Sequence, residues 1–354
     1  MNLLKVGLIG VGGIAEGRHI PAIQNLAEKA VITGVSDINV HRAQQMAEKY
    51  DIPSVYENYH EMLPHIDAVI ISTPNKFHAE IAVAALKAGV HVLCEKPMAL
   101  STEECDRMIQ ASKESGKILS IAYHYRFMKN AQAAKKVMIE GEIGEPLVIR
   151  TQGLRRRKVP GWGVFTNKEL QGGGSLIDYG CHLLDLSLWL MGNPVPVEVM
   201  GSQYNLLSRM PDQVNLWGEF DHESFDVDDH VTGYIRFENG ASLLLETSWS
   251  ANIKDDVENV SISGEKGGLD VFPFHLNQAK HGMLLNSDAS FIPGDENPGN
   301  PQAENFVDSC LGLAEQVVKP EEARMVSMLI EAIYESSLTG SSVKVNHRKE
   351  VETQ

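Results

Sequence analysis

Cysteine is scarce: four residues among 354, Cys94, Cys105, Cys181 and Cys310. None falls in CxxC spacing, so neither a disulfide framework nor a structural zinc site is expected, and a reduced cytoplasm is the default compartment. Cys181 beside His182 is one adjacent pair, too little to build a metal site, and no metal is expected. No apolar run approaches the ~20 residues of a membrane span, so no membrane association is expected. Residues 1–5 lead straight into the apolar run 6–10 without a basic n-region or a small-residue cleavage site, so no signal peptide is expected. Positive charge is the minority sign, with 31 Lys+Arg against 47 Asp+Glu and a formal net charge of −16. That balance argues against a nucleic-acid binder, which shows a basic face to phosphates. It says little about a small neutral substrate.

The residues that are present describe a soluble globular chain, 43% hydrophobic and 22% charged, long enough for two domains. Short Val- and Ile-rich runs at 6–9, 31–35, 68–71 and 91–94 read as buried parallel strands. Helical patterns at 42–49, 79–87 and 102–115 separate or follow them, and 118–122 reads as a further strand. Repeated strand–helix–strand units imply an α/β domain over 1–127, with a doubly wound parallel sheet. The pattern then changes. Helix 130–140, strand 146–152 and helix 176–191 lead into successive strands at 195–201, 231–237, 241–248 and 257–263. Glu238-Asn239-Gly240 signals a hairpin whose Asn and Gly supply φ > 0. Helices at 303–316 and 321–338 and a strand at 343–345 close the chain; 204–228 and 286–301 read as loops. Residues 128–354 are thus expected to form an α+β domain with a mainly antiparallel open sheet.

Gly10-Val11-Gly12-Gly13-Ile14-Ala15 is a GxGxxA fingerprint directly after a strand and opening a helix. Gly10 permits the tight turn, Gly12 lets the backbone approach a pyrophosphate, and Ala15 allows close helix–strand packing. The helix N-terminus then favours the anion. Asp37, about 20 residues beyond the glycines, ends the second strand, where a carboxylate accepts ribose hydroxyls and repels a 2′-phosphate. NAD is therefore favoured, with NADP the alternative that Arg42 on the following helix would serve.

Further along stand Thr73-Pro74-Asn75 with His78, the Glu95-Lys96-Pro97 triplet, Tyr125-Arg126-Phe127, and Gly172-Gly173-Gly174 followed by Asp178 and His182. Taken in order with the glycine fingerprint, the series resembles the Gfo/Idh/MocA oxidoreductases, the family of glucose–fructose oxidoreductase and inositol dehydrogenases. The resemblance covers most of the chain. It implies a Rossmann domain, a C-terminal sheet domain that binds substrate and forms a homodimer or homotetramer, and a cis Lys96–Pro97 peptide. It assigns Lys96, Asp178 and His182 as catalytic. Cofactor contacts fall on Gly10, Gly12, Gly13, Ile14, Ala15, Asp37, Thr73, Pro74, Asn75, His78, Glu95, Lys96, His124 and Arg126. At His124 the family commonly has asparagine.

The residues themselves suit redox chemistry at a carbinol, which needs a base for the hydroxyl proton, an electrophile near the forming oxyanion and a hydride acceptor. Lys96 follows a strand ending on the cofactor side. Asp178 and His182 are four apart and share a helix face, and His182 has the pKa range of a general base. Substrate contacts are expected at Lys96, Tyr125, Arg156, Trp162, Asp178 and His182. The basic run Arg155-Arg156-Arg157-Lys158 suits an anionic substrate group through forked guanidinium bonds, and suits a subunit neighbour or solvent equally. Trp162 offers an aromatic face to the C–H side of a sugar ring. The expected activity is NAD-dependent oxidation of a secondary hydroxyl of a sugar, inositol or related polyol. A glycoside hydrolase using tightly held NAD and a non-catalytic NAD(P)-binding regulator, both represented in the family, are the alternatives.

Overall fold

The computed structural model describes residues 3–345. The chain divides into two units. The first comprises residues 1–129, 169–172 and 293–327; the second comprises 130–168, 173–292 and 328–354. The sequence reading cuts the chain once, at 127/128. Two later stretches instead return to the first unit: 293–327 packs Ala303, Phe306 and Val307 into its core, and 169–172 is tied to it by the Asn75–Gln171 hydrogen bond and the Lys76–Glu169 ion pair.

In the first unit six parallel strands, β1 (Leu4–Ile9), β2 (Ala30–Ser36), β3 (Val55–Tyr56), β4 (Ala68–Ile71), β5 (His91–Cys94) and β6 (Leu119–Ile121), run in the order β3-β2-β1-β4-β5-β6. This is the doubly wound order, reversing between β1 and β4, and such sheets bind ligands beyond the carboxyl ends of their strands. β4 is buried along its whole length, which is why it reads as an unbroken apolar run. The helix Thr102–Ser115 starts where Ser101 accepts the Glu104 N–H and stops at Gly116 with φ +66°. Ala303, Phe306 and Val307 of the helix Gly299–Cys310 join Val6, Leu8, Ile23 and Val35 in one core. A fully buried side chain of this kind contributes roughly 1.5–3 kcal/mol. The expected helix 303–316 thus begins earlier and ends at Cys310, with Gly312 in the left-handed region just beyond.

The second unit holds β7 (Pro146–Leu154), β8 (Pro196–Tyr204), β9 (His230–Phe237), β10 (Ser242–Ser248), β11 (Val257–Gly264), β12 (Gly267–Asp270), β13 (His275–Lys280), β14 (Met283–Asp288) and β15 (Val343–Lys344). Their order is β14-β13-β12-β11-β7-β10-β9-β8-β15, and only β7 and β10 pair in parallel. In the β9–β10 hairpin Gly240 has φ +86°, whereas Asn239 takes no positive φ and instead accepts the Ala241 N–H through its side chain. One left-handed residue, not two, makes this turn. β12 to β14 occupy residues for which the sequence reading offers no strand, and part of the expected loop 286–301 is strand.

On its inner face the sheet presents Ile149, Leu243, Leu245, Val231 and Ile235, all buried. The helical segment from Leu176 to Leu190 packs there: a Cβ on Gly153 of β7 would lie 2.6 Å from Leu183, so the helix approaches the strand at glycine distance. The expected single helix 176–191 is a π-helical turn, Leu176–Gly180, followed by the α-helix Cys181–Leu190. π turns are rare and concentrate at functional sites.

Candidate active site

In the first unit the loops at the carboxyl ends of β1, β2, β4, β5 and β6 carry every cofactor residue expected from the sequence. At Gly10, φ is +82° and a Cβ would sit 2.7 Å from the Ser72 carbonyl oxygen, so glycine is required. A Cβ on Gly12 or Gly13 would meet nothing within 4 Å, leaving the backbone open where a dinucleotide fold receives its pyrophosphate. Ile14 is exposed at the helix entry, and Ala15 is buried at the start of a second π turn, Ala15–His19. Asp37, one residue past β2, accepts the Val11 N–H at 2.9 Å and the Asn39 N–H at 2.8 Å on separate oxygens. Each oxygen retains a lone pair for a ribose hydroxyl. Glycines open to an anion beside a fixed carboxylate fit a nicotinamide adenine dinucleotide.

The π turn brings Arg18 and His19 to Glu95. His19 Nε2 lies 2.8 Å from Glu95 Oε1, and Arg18 Nη1 lies 3.9 Å from it. Burial alone pushes the Glu95 carboxyl up, but the His19 bond and the charges of Arg18 and Lys96 outweigh it and lower the pKa to about 2. The other carboxylate oxygen accepts the Lys96 N–H at 3.2 Å, which fixes the backbone of Lys96; the Lys96–Pro97 peptide is cis. His78 is fully buried, with Nδ1 2.9 Å from the Pro97 carbonyl oxygen and Nε2 3.0 Å from that of Thr73. Burial lowers its pKa and favours the neutral ring. A neutral ring has one N–H, so His78 donates to one of these two carbonyls and packs its other ring edge against the second loop. Pro74 leads into the turn Asn75–Phe77, and the Asn75 side chain donates to the Gln171 carbonyl at 3.0 Å.

After β6, both His124 ring nitrogens lie against the Arg18 guanidinium at 3.2 and 3.4 Å. A neutral imidazole has one N–H and one acceptor nitrogen, so only one of these two contacts can be an Arg18 N–H donating to the ring. Burial, then the Arg18 charge, lowers the His124 pKa to about 3, so the ring is neutral at physiological pH. Tyr125 meets it edge to face at 4.9 Å. Arg126 is fully buried, pairs with Glu322 and donates to the Val317 carbonyl at 3.1 Å.

In the second unit Asp178 lies in the π turn and His182, buried, in the α turn that follows. Trp249, just past β10, donates its indole N–H to Asp178 Oδ2 at 3.1 Å, and Arg155 Nη1 approaches the same oxygen at 3.5 Å. The Arg155 guanidinium is sandwiched between the Tyr179 ring at 4.1 Å and the Trp217 ring at 4.7 Å. Trp162, expected as a substrate contact, lies 5.4 Å from Trp217 by ring centroids. The rest of the basic run turns elsewhere. Arg156 donates to the Lys254 carbonyl, Arg157 to Asn252, and Lys158 pairs with Asp256.

Gly173 and Gly174 of the triple glycine pack against Tyr334 and Asp228. One carboxylate oxygen accepts the Gly174 N–H at 2.7 Å and the Tyr334 hydroxyl at 2.6 Å. The other accepts the Ser175 hydroxyl at 2.8 Å and the Leu176 N–H at 3.0 Å. A Cβ on Gly174 would lie 1.9 Å from the Asp228 carbonyl oxygen, and one on Gly173 2.2 Å from the Tyr334 hydroxyl oxygen. The start of the Asp178-bearing helix is thus clamped by a buried carboxylate. Sequence reasoning passed over Asp228, Trp249, Trp217 and Arg155 individually; from the basic run it named Arg156, whereas Arg155 is the one that lies beside Asp178.

The family described as "Oxidoreductase family, NAD-binding Rossmann fold" matches residues 4–123, and the "GFO/IDH/MocA C-terminal domain" matches residues 131–270. The chain belongs to the Gfo/Idh/MocA oxidoreductases. It is 35% identical over 345 residues to D-glucoside 3-dehydrogenase of Escherichia coli, covering 97% of each chain. It is 29% identical over 268 residues to myo-inositol 2-dehydrogenase of Thermotoga maritima, covering 75% of this chain and 74% of that one. Levoglucosan dehydrogenase in complex with NADH and levoglucosan superposes with a TM-score of 0.82 at 25% identity, over 98% of this chain and all of that one.

Proposed function

We propose that this oxidoreductase uses NAD to oxidise a secondary hydroxyl of a sugar, inositol or related polyol, with Lys96, Asp178 and His182 as its catalytic groups. The observation that carries the reading is the Asp178 carboxylate, held by Trp249 and Arg155 one turn before the buried His182. The relatives that act on glucosides, inositol and levoglucosan support the substrate class. The bound nicotinamide supplies the hydride acceptor. Residues 10–15 and Asp37 hold the pyrophosphate and the adenosine ribose, while Thr73, Asn75, Glu95, His124 and Arg126 shape the nicotinamide side. His182 takes the hydroxyl proton, Asp178 orients substrate and imidazole, and the Lys96 ammonium offsets the negative charge that develops on the substrate oxygen. Tyr125 and, from the basic run, Arg155 line the oxidised sugar.

The same reading makes the protein a cytoplasmic homo-oligomer. Among the described residues no helix is long and apolar enough to cross a membrane. On the outward face of the second sheet, Arg150, Leu244, Tyr234 and Met200 stand in register across β7, β10, β9 and β8, all four exposed. An apolar row of this kind suits a second copy of the chain.

A panel of sugars, sugar acids and inositols, followed by NADH absorbance with NAD or NADP, tests the activity. His182→Ala should lower turnover by about 10²–10⁴-fold while leaving NAD affinity within about twofold. Equal losses in both would count against the assignment, and release of an aglycone without net NADH would point to glycoside hydrolysis instead.

A further inference from the structure

Two tryptophans stand exposed beside the carboxylate assigned to catalysis: Trp162, 53% exposed, and Trp217, 38%. They belong to two segments that are fastened together along their length. The Asn215 side chain accepts the Val159 N–H at 2.8 Å and donates to the Val159 carbonyl at 3.0 Å, copying a backbone ladder. Leu216 N–H donates to the Arg157 carbonyl at 2.8 Å, and Asp226 accepts the Lys168 N–H at 2.7 Å. Beneath them lies a separate small core of Val159, Phe225, Val227 and Trp249, against which Phe165 and Phe220 pack. Trp249 is thus shared: it anchors the platform and bonds Asp178.

From Asp178 outward the side chains form one continuous ladder. The Arg155 guanidinium lies 3.5 Å from the carboxylate and 4.7 Å from the Trp217 ring; Trp217 lies 5.4 Å from Trp162, and Trp162 6.2 Å from Phe165. Trp162 thus stands two side chains beyond Arg155, the group that approaches Asp178, so the indoles extend the ladder past the carboxylate's own contacts. Exposed indoles on a well-fastened support offer flat apolar area at little ordering cost, because their loops are already fixed.

Building on the reading above, we propose that the Trp162–Trp217 pair is a second-ring subsite, and that the substrate is a glycoside. The oxidised sugar lies at Asp178, and the aglycone presents a flat apolar face to the indoles. A second sugar ring and an aryl group share that chemistry, and the choice of substrates separates them.

The test compares methyl, phenyl and disaccharide glucosides, together with the matching galactosides, by NADH formation in the intact enzyme. In the wild type kcat/KM for phenyl glycoside, disaccharide or both exceeds that for methyl glycoside by at least tenfold, chiefly through KM. Trp162→Ala and Trp217→Ala bring that ratio to about one, while Trp162→Phe and Trp217→Phe retain much of it; thermal melting confirms that each variant is folded. If phenyl glycoside alone is favoured the aglycone is aryl, and if the disaccharide alone is favoured it is a sugar. A wild-type ratio near one with NADH still produced overturns the subsite and leaves the dehydrogenase reading intact. So does a ratio that survives both alanine variants. Conversion of an oligomer to a monomer by Trp162→Ala, read by light scattering, also overturns the subsite and makes the pair an interface. Absence of NADH from every sugar, glycoside and polyol overturns both readings.

Discussion

Trp249 donates its indole N–H to Oδ2 of Asp178 at 3.1 Å, joining residues 71 positions apart in sequence. The bond restricts the carboxylate's rotamer, so Asp178 is held in one orientation. Trp249→Phe keeps the ring in its core and removes only the donor. A hydrogen bond to a charged group is worth about 1.5–3 kcal/mol, so kcat is expected to fall about tenfold or more with NAD affinity unchanged. An unchanged kcat would reduce Trp249 to packing.

Asp228 offers a sharper stability test. Its two oxygens accept from the Gly174 and Leu176 N–H groups and from the Ser175 and Tyr334 hydroxyls. In Asp228→Asn the amide nitrogen must face one of those backbone N–H groups whichever way it turns, placing donor against donor. Loss of about 3 kcal/mol in urea unfolding is expected, with kcat reduced because the Asp178 helix starts from this clamp. Tyr334→Phe removes one hydroxyl and should cost roughly 1 kcal/mol.

These two residues mark where sequence reading stopped. β4 and β5 have the expected bounds because strands buried on both faces are apolar without interruption. The pair Asp178 and His182 was legible from its spacing after the glycines. β13 and β14 were not, since His275–Lys280 holds no buried residue and Met283–Asp288 is largely exposed, and neither shows the alternation that a buried face imposes. Trp249 and Asp228 act through contacts made by folding, and no local spacing encodes them. Arg155 was one of four adjacent basic residues, and only the strand end it occupies separates it from Arg156.

Glu95 carries a pH signature whose sign is fixed. Its folded-state pKa, about 2, lies below the ordinary carboxyl value of 4.5, so the folded state binds the proton more weakly than the unfolded one. The resulting stability is fully present above pH 4.5 and is lost as pH falls from there towards 2. Glu95→Gln removes this dependence. Wild type should exceed the variant by a few kcal/mol at neutral pH, and the gap should narrow steadily below pH 4.5. A gap that is constant from pH 7 to pH 3, measured by denaturant unfolding, would show that the His19 bond does not hold the carboxylate.

Gly10 and Gly12 stand two residues apart and should respond oppositely to alanine. At Gly10 the left-handed φ of +82° and the Ser72 carbonyl oxygen 2.7 Å from the added Cβ oppose any side chain, so Gly10→Ala should lower the melting temperature. At Gly12 the added methyl meets no protein atom within 4 Å, and reduced unfolded-state entropy should leave stability unchanged or raised by up to about 1 kcal/mol. That same methyl would occupy the space through which the backbone approaches the pyrophosphate. Gly12→Ala should therefore weaken NAD binding by at least tenfold in a protein that melts no lower than wild type. Calorimetric titration with NAD beside a thermal scan separates the two effects, and undiminished NAD affinity in Gly12→Ala would place the pyrophosphate elsewhere.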